Sequence, residues 1–312
     1  MSTSRSTFPL DPEERPLAFE FVLAVGAATG FYVAFRVVAA ASSRLRDLVA
    51  LPGGLLVDGL LHGTATLLGL GLLVGAYARR RGIEVRLARP TRDDLPAVAA
   101  ALAVPASLVA LTALVGDATG ASYGSLARTS YAPDVALGPV LVVTGLGLFV
   151  GVPSYLLLCQ VLVQGSFERA VGGDAAATLT TATTAFLLVG TQGGTGLSPF
   201  PDGGRIAGAV LFALAGGVAL YATDRAERRW VPYLAAVPAL AVVGATLLSA
   251  VAAIGSVAGA LFAGTQLVVL GLAALVYGRT DSLAVPALAY LSLSLAHEVA
   301  VFAAETGAVG PW

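Results

Sequence analysis

The sequence predicts an all-α fold, a polytopic transmembrane helix bundle of about nine spans. Three observations carry that prediction. The 312-residue chain is 57% hydrophobic and only 12% charged, whereas soluble domains carry about 25% charged residues. Its apolar residues fall into blocks of about 20, the length that crosses a bilayer as a helix. Short segments bearing arginine, proline or glycine separate these blocks. A net charge of -1 offers no basic surface for nucleic acid, so the partner that composition implies is the lipid bilayer. The lone Cys159 cannot form an intramolecular disulfide.

Taken in order, residues 1–16 (MSTSRSTFPLDPEERP) are polar and proline-bearing and are expected to form a disordered tail. They lack the basic stretch, apolar core and small-residue cleavage site of a signal peptide. Spans are expected at 17–41, 55–77 and 95–115, a three-helix region within 17–135. A core over 136–303 follows, with spans at 136–165, 175–191, 206–223, 231–251, 257–278 and 283–303. Residues 304–312 remain as a short tail. The fourth span would be roughly 45 Å long at 1.5 Å per residue and contains Pro153. It reads either as one kinked helix or as two short ones.

All 18 basic residues are arginine, and cytoplasmic loops carry the arginine excess. With Arg79 to Arg92 inside and the fourth span unbroken, thirteen arginines fall inside and five outside. Splitting that span would move Arg169, Arg225, Arg228, Arg229 and Arg279 outside. The predicted topology is therefore nine spans in a cell membrane, with the N-terminus cytoplasmic and the C-terminus external. The stretch Gly216 to Val237 parallels Gly271 to Leu291. Each runs helix, charged turn, Val-Pro, helix. It reads as a duplicated hairpin (206–251 and 257–303) or as two apolar hairpins that merely look alike.

"VLVQGSFERAVGGDAAATL" and "YGRTDSLAVPALAY" together resemble segments of the CPBP family, the CAAX prenyl proteases and bacteriocin-processing enzymes. The resemblance covers about half the chain, Gly138 to Val301. It implies a transmembrane helical core and intramembrane proteolysis at a metal or water site. There a first helix carries Glu-Glu-x-x-x-Arg, the next Phe-x-x-x-His, and a later one His-x-x-x-Asn. Matched on "VQG", the Glu-Glu pair falls on Tyr155 and Leu156 and the arginine on Gln160. Phe186 matches the phenylalanine, but the histidine falls on Gly190. The third motif falls on Tyr290 and Ser294, or on Ala236 if the earlier hairpin is the counterpart. Peptide hydrolysis needs a base at the water and donors around the oxyanion. Tyrosine, leucine and glycine at these positions supply neither. A member without catalytic residues is the expectation, with no cofactor and with a membrane protein or peptide as partner.

Ionisable residues within spans are functional hypotheses by default. Asp58 and His62 are four apart, on one helix face, beside Gly59 and Gly63, whose spacing admits a close helix. His297 and Glu298 lie in the last span. His62, His297 and a carboxylate would form a zinc site if their helices met; the plainer reading is an Asp58–His62 hydrogen bond and a polar helix end. Glu20 and Arg36 are expected to snorkel to the interface. Gln160, Gln164, Gln192 and Gln266 read as interhelical hydrogen-bonders, and Thr178 to Thr184 as bonding their own helix. The alternatives to a non-catalytic protein are a divergent endopeptidase using Asp58, His62, His297 or Glu298, and a transporter or channel. Against the last stands the scarcity of paired charges and of Pro-broken helices in matched halves.

Overall fold

The computed structural model describes residues 16–49, 54–132, 135–189, 197 and 203–306. They form helices α1 (Pro16–Val49), α2 (Leu55–Arg81), α3 (Leu95–Thr119), the short α4 (Tyr123–Ala127) and α5 (Leu137–Tyr155). A π-helical segment (Leu156–Gln164) and α6 (Gly165–Phe167) continue α5 without a break. Next come α7 (Gly173–Leu188), α8 (Gly203–Arg225), α9 (Val231–Ala253), α10 (Val257–Thr280) and α11 (Ala284–Thr306). Among the described residues, eight helical runs are long and apolar enough to cross a membrane. The protein is an all-α, multi-pass integral membrane protein.

The fourth span is one helical run, Leu137–Phe167. Pro153 sits in it, just ahead of the π-helical segment. A proline lacks the N–H of the helical ladder, and a change to i→i+5 bonding is one way a helix absorbs the irregularity. Leu158 to Gln164 are all buried, so this stretch is the central rod of the bundle, touched by α1, α2, α7 and α10. The expected fifth span, 175–191, corresponds to α7, Gly173–Leu188, whose 16 residues make about 24 Å of helix and which is not among the eight runs.

Three helices, α3, α10 and α11, pack together on one side; α1, α2 and α8 line the other. The glycines of α2 do what their spacing suggests. A Cβ on Gly63 would sit 2.7 Å from Val150 of α5, and Gly59 faces Leu146 in the same way. α9 packs along α8, and its most apolar stretch holds no buried residue. Leucines such as Leu72, Leu114 and Leu248 are more than half exposed, as a lipid-facing surface requires.

One end of the bundle is tied by ions. The buried Glu20 of α1 accepts from Arg81 of α2 and, at 3.2 Å, from Arg169 just past α6. This corrects the expectation that Glu20 snorkels: its charge is held by two guanidinium groups, not by headgroups. Arg36 is exposed, as expected. Arg86 bridges Glu168 at 3.0 Å and Asp281 at 2.9 Å. The segment after α2 pairs with the α10–α11 turn through an isolated antiparallel bridge, Leu87 to Ser282. Gly216 and Gly217 near the end of α8 meet Phe21 and Val22 near the start of α1. The start of α1 and the ends of α2, α6, α8 and α10 thus gather at one face, while Glu305 at the end of α11 meets Gly124 of α4 at the other.

Candidate functional site

One face of α11 presents Tyr290, Leu293, Ser294 and His297, the spacing of successive helical turns. Opposite it stand Tyr155, where α5 gives way to the π-helical segment, and Gln266 of α10. Together with Leu197 and Glu298 these residues line a cavity of about 130 Å³. It runs from the Tyr155–Tyr290 pair along α11 toward the end bearing Glu305.

Two tyrosines form its inner wall. Their rings stack at 5.0 Å between centroids with planes 27° apart, in the range aromatic pairs prefer. The Tyr155 hydroxyl donates to the Leu197 carbonyl at 2.8 Å. Gln160 donates to the Tyr290 hydroxyl at 3.1 Å, and the Cys159 thiol lies against the same hydroxyl. Both phenol oxygens are therefore engaged with protein groups.

The outer part is held from the α3–α5 connection. Ser122 caps α4 by accepting from the Ser125 N–H at 3.2 Å. That turn sets the Tyr123 hydroxyl 3.2 Å from His297 Nδ1, and the two rings meet edge to face. Burial pushes the Tyr123 phenol well above its ordinary pKa. Tyr131 donates to Glu298 Oε2 at 2.5 Å, a charge-assisted contact. Burial first, and then the Glu298 carboxylate, push the Tyr131 phenol up to about 12, so it stays a proton donor at neutral pH.

Three polar groups at the cavity have capacity to spare. Gln266 is 2% exposed, lines the cavity, and makes no hydrogen bond to a described residue. The Ser294 hydroxyl has no partner among the described residues either. Glu298 Oε1 is free, and none of the described ion pairs involves this carboxylate. No arginine lines the space.

The residues expected from sequence divide sharply. Tyr155, Tyr290, Ser294, His297 and Glu298 meet at the cavity, although they came from two separate arguments. Gln160 stands behind it. Leu156 is half-buried against the core. Phe186 stacks on Phe212 of α8 at 4.3 Å, away from the cavity. Ala236 lies on the peripheral α9, so of the two hairpins it is α10–α11 that meets Tyr155. Gly190 and Gln192 lie outside the described residues. His62 Nδ1 pairs with the Asp58 backbone carbonyl at 3.0 Å, a hydrogen bond within α2 as expected, though to the backbone. The helices of His62 and His297 do not bring them together, and no group of three His, Cys, Asp or Glu side chains is gathered among the described residues.

The glutamine reading needs a correction. Gln160 bonds across helices, and so does Gln164, to the Ala274 carbonyl at 3.0 Å; Gln266 does not, because α10 turns its amide into the cavity. Thr178, Thr181 and Thr184 bond their own helix. Sequence reasoning passed over Tyr123 and Tyr131. Their only signal is two tyrosines in a short polar connection, which becomes informative once they are seen to hold His297 and Glu298.

No protein-family model matches the chain, and no curated protein or solved structure matches it.

Proposed function

We propose that this integral membrane protein binds a guest in the cavity between the π-helical rod and α11 without cleaving it. In this reading its core is CPBP-like and has lost the hydrolytic residues. A membrane protein or peptide is the guest, no metal is bound, the N-terminus is cytoplasmic and the C-terminus external. The observation that carries the reading is the cavity itself. Tyr155, Tyr290 and Ser294, which occupy the glutamate, histidine and asparagine positions of the CPBP-like pattern, line one space. Their side chains close it with stacked rings and satisfied phenols. The thirteen-to-five arginine split supports the orientation.

Peptide hydrolysis asks for a base at the water and donors at the oxyanion, each worth about 10²–10⁴-fold in rate. At the pattern's own positions this chain has a phenol and an apolar side chain. A second reading, a divergent endopeptidase, is favoured by one observation: His297 and Glu298 line the same cavity. The test incubates purified protein with a prenylated CAAX peptide and with a transmembrane peptide, and measures cleavage by mass spectrometry. Metal content is measured for wild type, His62→Ala and His297→Ala. The expected result is no cleavage and no stoichiometric metal. Cleavage, or one equivalent of zinc that both substitutions abolish, would replace the binding reading with the endopeptidase one.

A further inference from the structure

We infer that the cavity selects a guest carrying an ammonium group. This rests on the binding reading above and names the chemistry of its guest. The lining is rich in acceptors and holds no arginine; its one basic group is the His297 imidazole. Its one carboxylate, Glu298, is held on one oxygen by Tyr131, and no arginine among the described residues forms an ion pair with it. Inside a membrane span an unbalanced carboxylate is costly, and a bound cation removes that cost. An anion meets the reverse situation, a carboxylate and no arginine.

Two further groups fix where the guest's polar end sits. Gln266 is 2% exposed, lines the cavity and has no hydrogen-bond partner among the described residues, so its amide is left to bond whatever enters that space. Its amide oxygen and the Ser294 hydroxyl both accept hydrogen bonds. Together with Glu298 Oε1 they offer up to three acceptors to an –NH₃⁺ group, which has three donors. The stacked Tyr155–Tyr290 pair, with its hydroxyls already engaged, leaves ring surface for the apolar portion. His297 is fixed through Nδ1 by Tyr123, which leaves Nε2 unpartnered.

An ammonium group could come from a soluble amine, or from an aminolipid headgroup. The experiment uses n-butylammonium, neutral 1-butanol and butyrate, titrated calorimetrically against full-length protein in phosphatidylcholine nanodiscs. Butylammonium is expected to bind at least about tenfold more tightly than butanol, a margin typical of a charge-assisted contact, and butyrate not at all. Glu298→Gln keeps an acceptor for Tyr131 and should erase the preference for the amine, with an unchanged elution profile. Ser294→Leu, which fills the cavity, should abolish binding. Repeating the titration with phosphatidylethanolamine in the disc identifies the source. Weaker butylammonium binding there means the lipid headgroup competes for the site; equal binding means the guest is a soluble amine.

Equal binding of amine and alcohol, or a preference that survives Glu298→Gln, would overturn the ammonium inference. If that equal binding is still lost in Ser294→Leu, the guest-binding reading stands and only the choice of guest falls. If none of the three compounds binds wild type, the inference falls, and the peptide assay separately decides the reading beneath it.

Discussion

Replacing Glu20 by glutamine is expected to destabilise the protein by about 3 kcal/mol. The Glu20 side chain is 4% exposed and faces two guanidinium groups, that of Arg81 at 19% exposure and that of Arg169 at 38%. Glutamine keeps the volume and one acceptor, so no cavity term enters; what changes is charge. Removing one partner of a buried ion pair costs about 3–5 kcal/mol, because the other charge is left uncompensated. Arg81 and Arg169 keep part of their access to water and headgroups, which sets the lower end of that range. About 3 kcal/mol is roughly a hundredfold in the folding equilibrium. Reversible unfolding in mixed detergent micelles, followed by helical circular dichroism, measures it. Adding Arg81→Met to Glu20→Gln removes one stranded cation and should recover at least about 1 kcal/mol. A single-mutant loss below about 0.5 kcal/mol, or a double mutant no better than the single, would show that the carboxylate does not join α1 to α2 and α6.

Tyr290→Phe should cost about 1–3 kcal/mol, since Gln160 is fully buried, its Oε1 already lacks a partner, and the substitution removes its remaining one; the same unfolding titration reads it. Gly63→Val should cost about 1–3 kcal/mol by overpacking against Val150, whereas Gly145→Ala, where a Cβ meets nothing within 4 Å, should be neutral. Cysteine labelling in intact cells should find a cysteine at Arg89 reachable only from the cytoplasm and one at Ser125 only from outside. The buried Cys159 makes the wild type a silent background, and labelling of both positions from one side would refute the alternating topology.

Helix order and eight of the nine expected crossings were legible, because each depends on a property local in sequence; the fifth, α7, has only 16 residues among the described ones. About twenty apolar residues mark a crossing, and arginines mark its ends. The unbroken fourth span followed from where Arg169 and Arg279 would otherwise fall. The π-helical form of Leu156–Gln164 was not legible, since it depends on how neighbours on four sides accept a wider turn next to Pro153. Glu20 was misread for a related reason. An acid near a helix end looks the same in sequence whether it reaches headgroups or meets two arginines brought by distant segments.

The cavity shows why the sequence divides its residues wrongly. Tyr155, Tyr290 and Ser294 drew notice because they stand where a proteolytic pattern would place other side chains. His297 and Glu298 drew notice because ionisable groups are rare in spans. Nothing in the spacing joins the two sets except one face of α11, on which Ser294 precedes His297 by three residues. Gln266 drew no separate notice, because a glutamine in a span reads as a bond to another helix. Its role depends on an absence, the lack of a partner, which only packing reveals. Tyr155 and Tyr290 keep their helices in contact by stacking, and the polar groups facing the space come from neighbouring positions on α10 and α11. The phenol at Tyr155 and the polar groups of α10 and α11 therefore share one cavity although the residue patterns that single them out are unrelated.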